Sequence, residues 1–425
     1  MRRSRRLRSR PELRLEHAAR QGRNGNNFDL LRLLAATLVI ISHSLALTVP
    51  AGGRATLLHE DLGEAGVVMF FGISGFLVAR SWAYDPNPLS FAMKRALRLM
   101  PALVVSLLLT ALVLGPLVTT LPLRTYLEDP GTKAYVLSNA TFQITYGLPG
   151  VFAHARYPNF VNGSLWTLPL ELKAYCLVVA LGLLGLLGRR RLLMPVVTIF
   201  FALLTIGSLR SAIPLGDHVV ALMENVQAPK SIVGFTRAGY FQDDARLFAS
   251  FALGAGLFAL ARWVPLRWSV ACALTVAWVV AAAAGGADAV PIATAWLLPY
   301  VVLLLAYRTT HIVRLPARLG DYSYGLYIIA FPVQQAVVHW FAPSSGWVTF
   351  VVATPIALAF AVASWHLVEA PALTLKQRMR QPLERASAAH PLERIALQPQ
   401  RPPAFAQPPS GSDVPATHQR NRPAR

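Results

Sequence analysis

The sequence predicts an all-α fold, a polytopic membrane bundle of about ten transmembrane helices with both termini cytoplasmic. Three observations carry that reading. The 425 residues are 54% hydrophobic and 14% charged, too apolar for an ordinary soluble domain. Apolar runs long enough to cross a bilayer recur along the chain. Basic residues gather on the tails and short connections that one alternating topology places on a single side.

Residues 1–27 hold nine Arg against two Glu and read as a basic cytoplasmic tail that attracts anionic lipid head groups. The first span, 28–49, is FDLLRLLAATLVIISHSLALTV. It is basic and then apolar like a signal peptide, but it is long and lacks a small-residue cleavage site, so it should remain. A second span covers 66–82, and a basic segment with Arg80, Lys94, Arg95 and Arg98 leads to a third at 99–121. The outer loop 122–164 is rich in Pro, Gly and aromatics, which suggests an ordered cap. Further spans follow at 165–187, 192–209, 247–262, 268–284, 292–307, 321–340 and 348–367, with an outer loop at 210–246. Residues 28–371 thus form the transmembrane domain. The remainder, 372–425, carries nine basic residues against three acids in a Pro- and Gln-rich context and should be a disordered cytoplasmic tail.

The net charge of +20 sits mostly on these tails, without the interleaved aromatics of a nucleic-acid platform, so no nucleic-acid partner is expected. Cys176 and Cys272 both fall in apolar runs, and imply neither a disulfide framework nor a thiolate metal site.

Ionisable residues inside a span are costly and commonly functional. Arg32 and His43 lie eleven positions apart in the first span, so both occupy one helix face, about 16 Å apart along the axis. A neutral imidazole in a dry site suits a general base, although a buried His that merely bonds a neighbouring helix is an equal alternative. Glu171 in NGSLWTLPLELKAY is expected at the depth of His43, where a carboxylate could orient the ring; pairing with Lys173 or an Arg for structural reasons is the alternative. Arg95 and Arg98, three apart beside Lys94, present guanidiniums suited to phosphate, or simply set topology. Ser74 and Gly75 in FFGISGFL allow close approach by a helix or a thin ligand.

These segments resemble acyltransferase family 3, the bacterial membrane O-acyltransferases of surface polysaccharides, Nod factors and related glycans. RLLAATLVIISH resembles the family's signature of a basic residue, ten residues, then His. FFGISGFL, KRALRLMP, NGSLWTLPLELKAY, LGDYSYGLYIIAFPVQQ and HLVEAP resemble its later motifs, in family order across residues 27–371. The resemblance implies His43 as the essential His with Arg32 paired to it, and Arg95 and Arg98 near the phosphates of acyl-coenzyme A. It places Glu171 beside the His. Ala330 stands where many members carry a second His, and no esterase-like domain follows the last span.

The expectation is therefore an enzyme of the plasma (inner) membrane that moves an acyl group, acetyl by preference, from acyl-coenzyme A to a carbohydrate or glycolipid hydroxyl. Its catalytic residues are His43, Glu171 and Arg32; Arg32, Arg95, Arg98 and Ser74 hold the coenzyme, and no metal is needed. A transporter or flippase for a lipid-linked glycan is the rival reading, because ten spans with buried charges also suit a translocation path.

Overall fold

The structure is a computed structural model that describes residues 14–16, 25–48, 55–186, 241–310, 312 and 320–374, with backbone alone at 241–244 and 285–288. The expected span at 192–209, most of the loop 210–246 and the tail from 375 lie outside the described residues.

Helix α1 (Phe28–Thr48) leads through a two-residue hairpin, β1 (Thr56–Leu57) and β2 (Glu60–Asp61), into α2 (Leu62–Tyr84). Asp61 caps α2, its carboxylate accepting from the amides of Gly63 and Glu64, so α2 begins four residues before the expected span. Asn87 caps α3 (Pro88–Leu109), with Pro88 in the first turn, where its missing N–H costs nothing. This helix runs through a π turn to Val118. The basic segment and third span are thus one continuous helix.

Helices α4 (Leu123–Glu128) and α5 (Pro130–Ala140) form the expected ordered cap, and a 3-10 turn at Gly163–Trp166 opens α6 (Thr167–Leu183). Then come α7 (Phe241–Ala259), α8 (Trp268–Arg308), α9 (Ser323–Phe341) and α10 (Gly346–Ser364). Among the described residues six helical segments are long and apolar enough to cross a membrane: Phe28–Thr48, Leu62–Tyr84, Pro88–Val118, Gly163–Leu183, Ala289–Arg308 and Gly346–Thr374.

Two spans were expected where α8 has helical backbone throughout. Trp278 Nε1 nevertheless donates to Thr294 Oγ1 at 2.8 Å, and the Arg308 guanidinium to the Leu266 carbonyl at 2.7 Å. On a straight helix those pairs would lie about 24 and 63 Å apart. The chain therefore doubles back between Ala284 and Ala289, and the two expected spans are the arms of a hairpin.

The N-terminal tail is not wholly a topology signal. Leu15 is fully buried, and its amide, with that of Glu16, bonds the carbonyls of Val264 and Ala261. An aliphatic side chain that reaches an apolar pocket docks even within a basic stretch.

Helix α2 is the central element, packed against α1, α7 and α8. Glycine permits the closest of these contacts: a Cβ at Gly75 would strike the Phe251 backbone, and one at Gly254 the Gly72 carbonyl. Where no hydrophobic force drives helices together, such close approach supplies the dispersion contacts that do. Gly75 thus serves helix packing rather than a thin ligand. Apolar residues such as Leu112, Leu117, Val276, Val280, Val351 and Ile356 stay exposed on the outer faces, as they can where lipid is the solvent.

Gly75→Val should lower the detergent-solubilised melting temperature or abolish monodisperse protein on gel filtration, because a backbone contact cannot yield as a side chain does; the cost should exceed about 3 kcal/mol. Unchanged melting would mean that α2 and α7 are not in contact there.

Candidate active site

A ladder of polar side chains runs along the inside of α1, α2, α3, α6 and α9, with a basic end and a cap end.

At the basic end, Asp321, in the turn before α9, holds two cations with one oxygen. Arg32 Nη1 lies 3.0 Å and Arg98 Nη2 2.6 Å from Asp321 Oδ2, while Ser323 Oγ donates to Oδ1 at 2.5 Å. Arg98 also lies 3.9 Å from Glu369 and over the Tyr324 ring at 5.7 Å. Arg32 and Arg98 are thus brought together as their shared membrane level suggested. Asp321 went unread as their partner, although an acid opening an apolar helix was a visible signal. Lys94 pairs instead with Asp85.

One helical turn along α3, the Arg95 guanidinium lies between aromatic faces, 5.7 Å from Phe91 and 5.6 Å from Tyr175. It forms no ion pair among the described residues, and its buried Nε has no hydrogen-bond partner there. Tyr175 in turn donates a short hydrogen bond to Glu171 Oε1, which also accepts from Ser74 Oγ at 3.4 Å. Glu171 and Ser74, expected on different sites, therefore share one, and Tyr175 joins them.

Above this level Tyr327 pairs its hydroxyl with Thr167 at 2.9 Å and sets its ring edge against Phe70. Pro332 in α9 has no N–H for the Ile328 carbonyl one turn back. Asn162, fully buried, donates to that carbonyl at 2.8 Å, and Ser106 Oγ at 3.3 Å. This draws the segment before α6 deep into the bundle.

At the cap end His43 is half-buried, its ring edge-on to Phe331 at 5.0 Å. Its Nδ1 is enclosed without a hydrogen-bond partner among the described residues. Asp61 lies at this end too: its Oδ1 accepts from the Oγ of Ser42, the residue before His43, at 2.8 Å and from Gly63 N at 2.7 Å.

Glu171 does not share the depth of His43. The Cα of Gly63 lies against Ser42, and Ser74, the partner of Glu171, is eleven residues further along α2, about 16 Å. The expectation counted depth from residue 165, but Asn162, three residues earlier, is already fully buried against α9. Ala330, in place of the frequent second His, is buried among Ala36, Ile40 and Ala357, in an apolar seam between α1, α9 and α10. Among the described residues no three His, Cys, Asp or Glu side chains converge as a metal site.

Comparison with known proteins adds a family. The model of an acyltransferase domain matches residues 26–366. An O-acetyl transferase of Shigella phage Sf6 is 27% identical over 358 residues, 82% of this chain and 96% of that protein. Nodulation protein 10 of Rhizobium leguminosarum bv. viciae is 30% identical over 371 residues, 83% of this chain and 94% of that one. No solved structure matches.

Asp321→Ala should destabilise the protein by about 3 kcal/mol, because it strands two guanidiniums that are mostly removed from water. In a double-mutant cycle with Arg98→Ala, the combined loss should be smaller than the sum. Simple additivity in thermal denaturation would show that the bridge is not formed.

Proposed function

Because the chain belongs to the acyltransferase family that this domain defines, and is an enzyme that transfers acyl groups, we propose that it is an integral membrane O-acetyltransferase. Membership in an enzyme family removes the transporter alternative. The donor is acetyl-coenzyme A from the cytoplasm and the acceptor is a carbohydrate hydroxyl presented at the cap end. Ten spans, both termini cytoplasmic and residence in the inner membrane are part of this reading, since the basic end then lies where the donor is made.

The observation that supports it most is the ladder itself: cations at one end, a half-buried imidazole at the other, and polar side chains between. Donor phosphates approach Arg95 first, the cation without a carboxylate, and then compete with Asp321 for Arg32 and Arg98. The pantetheine arm extends past Ser74, Glu171 and Tyr175. Tyr324, Tyr327 and Phe70 close the way to His43 at present, so their side chains swing aside when the donor enters.

At the cap end, His43 removes the proton from the acceptor hydroxyl as its oxygen attacks the thioester carbon. The C–S bond breaks, an ester C–O bond forms, and the imidazolium returns the proton to the departing thiolate. Asp61, held against Ser42 beside the ring, stabilises the imidazolium in place of Glu171. Glu171 keeps Tyr175, and through it Arg95, in place along the donor path. The cap excludes water from the thioester.

His43→Ala, with membrane insertion verified, should cut acetyl transfer to the host glycan, read by mass spectrometry, by about 10²–10⁴-fold; retained transfer would remove the imidazole from the chemistry. Arg95→Ala should raise the acetyl-coenzyme A KM about tenfold, the value of about 1.4 kcal/mol of lost phosphate contact, with less effect on kcat. An unchanged KM would return Arg95 to topology.

A further inference from the structure

We propose that the buried cluster of Arg246, Glu60, Glu64 and Thr294 is a positioning device that holds the 56–61 hairpin so that Asp61 faces His43. This rests on the reading of His43 as the base and adds residues far from the basic segments that first drew attention.

Glu60 and Asp61 are consecutive in β2, so their side chains point to opposite sides. Asp61 turns to α1, where it accepts from Ser42 at 2.8 Å, the residue that precedes His43. Glu60 turns to α7 and α8. Arg246, 7% exposed, lies 3.5 Å from Glu60 Oε1 and 2.9 Å from Glu64 Oε2. Thr294 Oγ1 donates to Glu60 Oε2 at 2.8 Å, after accepting from Trp278 Nε1 at 2.8 Å. One carboxylate thereby ties the hairpin to α7 and to both arms of α8.

The hairpin needs the tie. Its turn residues, Leu58 and His59, have φ of 48° and 70°, a left-handed pair that tight hairpins normally give to Asn-Gly. Strain of this kind persists only where neighbours over-determine it, and it concentrates at functional sites. Stability is a poor reason for the cluster, because a buried ion network commonly does no better than apolar residues of the same volume. Fixing one geometry is the use that remains. Burial pushes the Glu60 carboxyl upward, opposed by Arg246 and Thr294, with Glu64 and Asp61 adding to the upward push; those groups define the charge balance of the hairpin.

The test follows the exchange of the His43 ring C2 proton across pH by mass spectrometry, in the purified full chain, for wild type, Asp61→Asn, Glu60→Gln, Arg246→Met and Thr294→Val. Glu60→Gln, Arg246→Met and Thr294→Val should each move the His43 titration midpoint in the direction Asp61→Asn moves it, and Arg246→Lys should recover at least half the shift. Where turnover is measured, kcat should fall on the order of tenfold from misplacement, with the acetyl-coenzyme A KM held. Thr294→Val removes one hydroxyl and no charge; amide exchange along α2 at the wild-type rate in that variant confirms its fold. A midpoint that follows Asp61→Asn but ignores all three cluster variants overturns the proposal alone. A midpoint unmoved by Asp61→Asn overturns the Asp61–His43 pairing and the proposal with it.

Discussion

One oxygen of Asp321 joins α1, α3 and α9, and most of the site's geometry follows from why such a bridge must exist. A charge or a freed carbonyl within hydrocarbon finds no water, and leaving it alone costs about 3 kcal/mol or more. Arg32 and Arg98 must therefore meet a carboxylate inside the bundle, and that demand sets α9 beside α1 and α3. The same rule brings Asn162 to the carbonyl left open by Pro332, which ties the segment before α6 to α9. Gln334 obeys it too, reaching Ile40 O at 2.7 Å and Ser44 Oγ at 2.5 Å on α1. The ladder toward His43 is in this sense the internal solvent of the protein.

The bridge also bears on binding. Asp321 already pairs with Arg32 and Arg98, so in the proposed function a donor phosphate competes for them, whereas Arg95 lies between aromatic rings and forms no ion pair among the described residues. A site with one open cation and two held in reserve can order its own occupation: first contact at Arg95, then exchange of Asp321 for phosphate, then release of α9. Tyr324 and Tyr327, buried along the proposed path, belong to that same helix.

Much of this was legible from sequence, and the misses have physical causes. Apolar runs located the helices, including the two arms of α8, because span length is set by the bilayer. Arg32 and Arg98 were read as neighbours, and both reach the same Asp321 oxygen. The carboxylate proposed to act with His43 was not read. Depth was counted from the first apolar residue after a loop, which works only if the loop stays clear of the bundle; Asn162, buried and bonded to the Ile328 carbonyl, shows that this one does not. Asp61 drew no reading, although an Asp a few residues before an apolar run is a pattern of helix caps. Side-chain bridges such as Asp321 to Arg32 link positions 289 apart, a separation that no local pattern encodes.

The central claim is that the ladder is the route by which the donor reaches the imidazole. The most direct measurement is a cryo-electron microscopy structure of the full chain with a non-hydrolysable thioether analogue of acetyl-coenzyme A. The account predicts phosphates on Arg95 and Arg98, a pantetheine arm between α2, α6 and α9 with Tyr324 and Tyr327 displaced, and the sulfur at near-attack distance from His43, about 3 to 3.5 Å. Density for the coenzyme elsewhere, with those tyrosines still in place and the path closed, would contradict it.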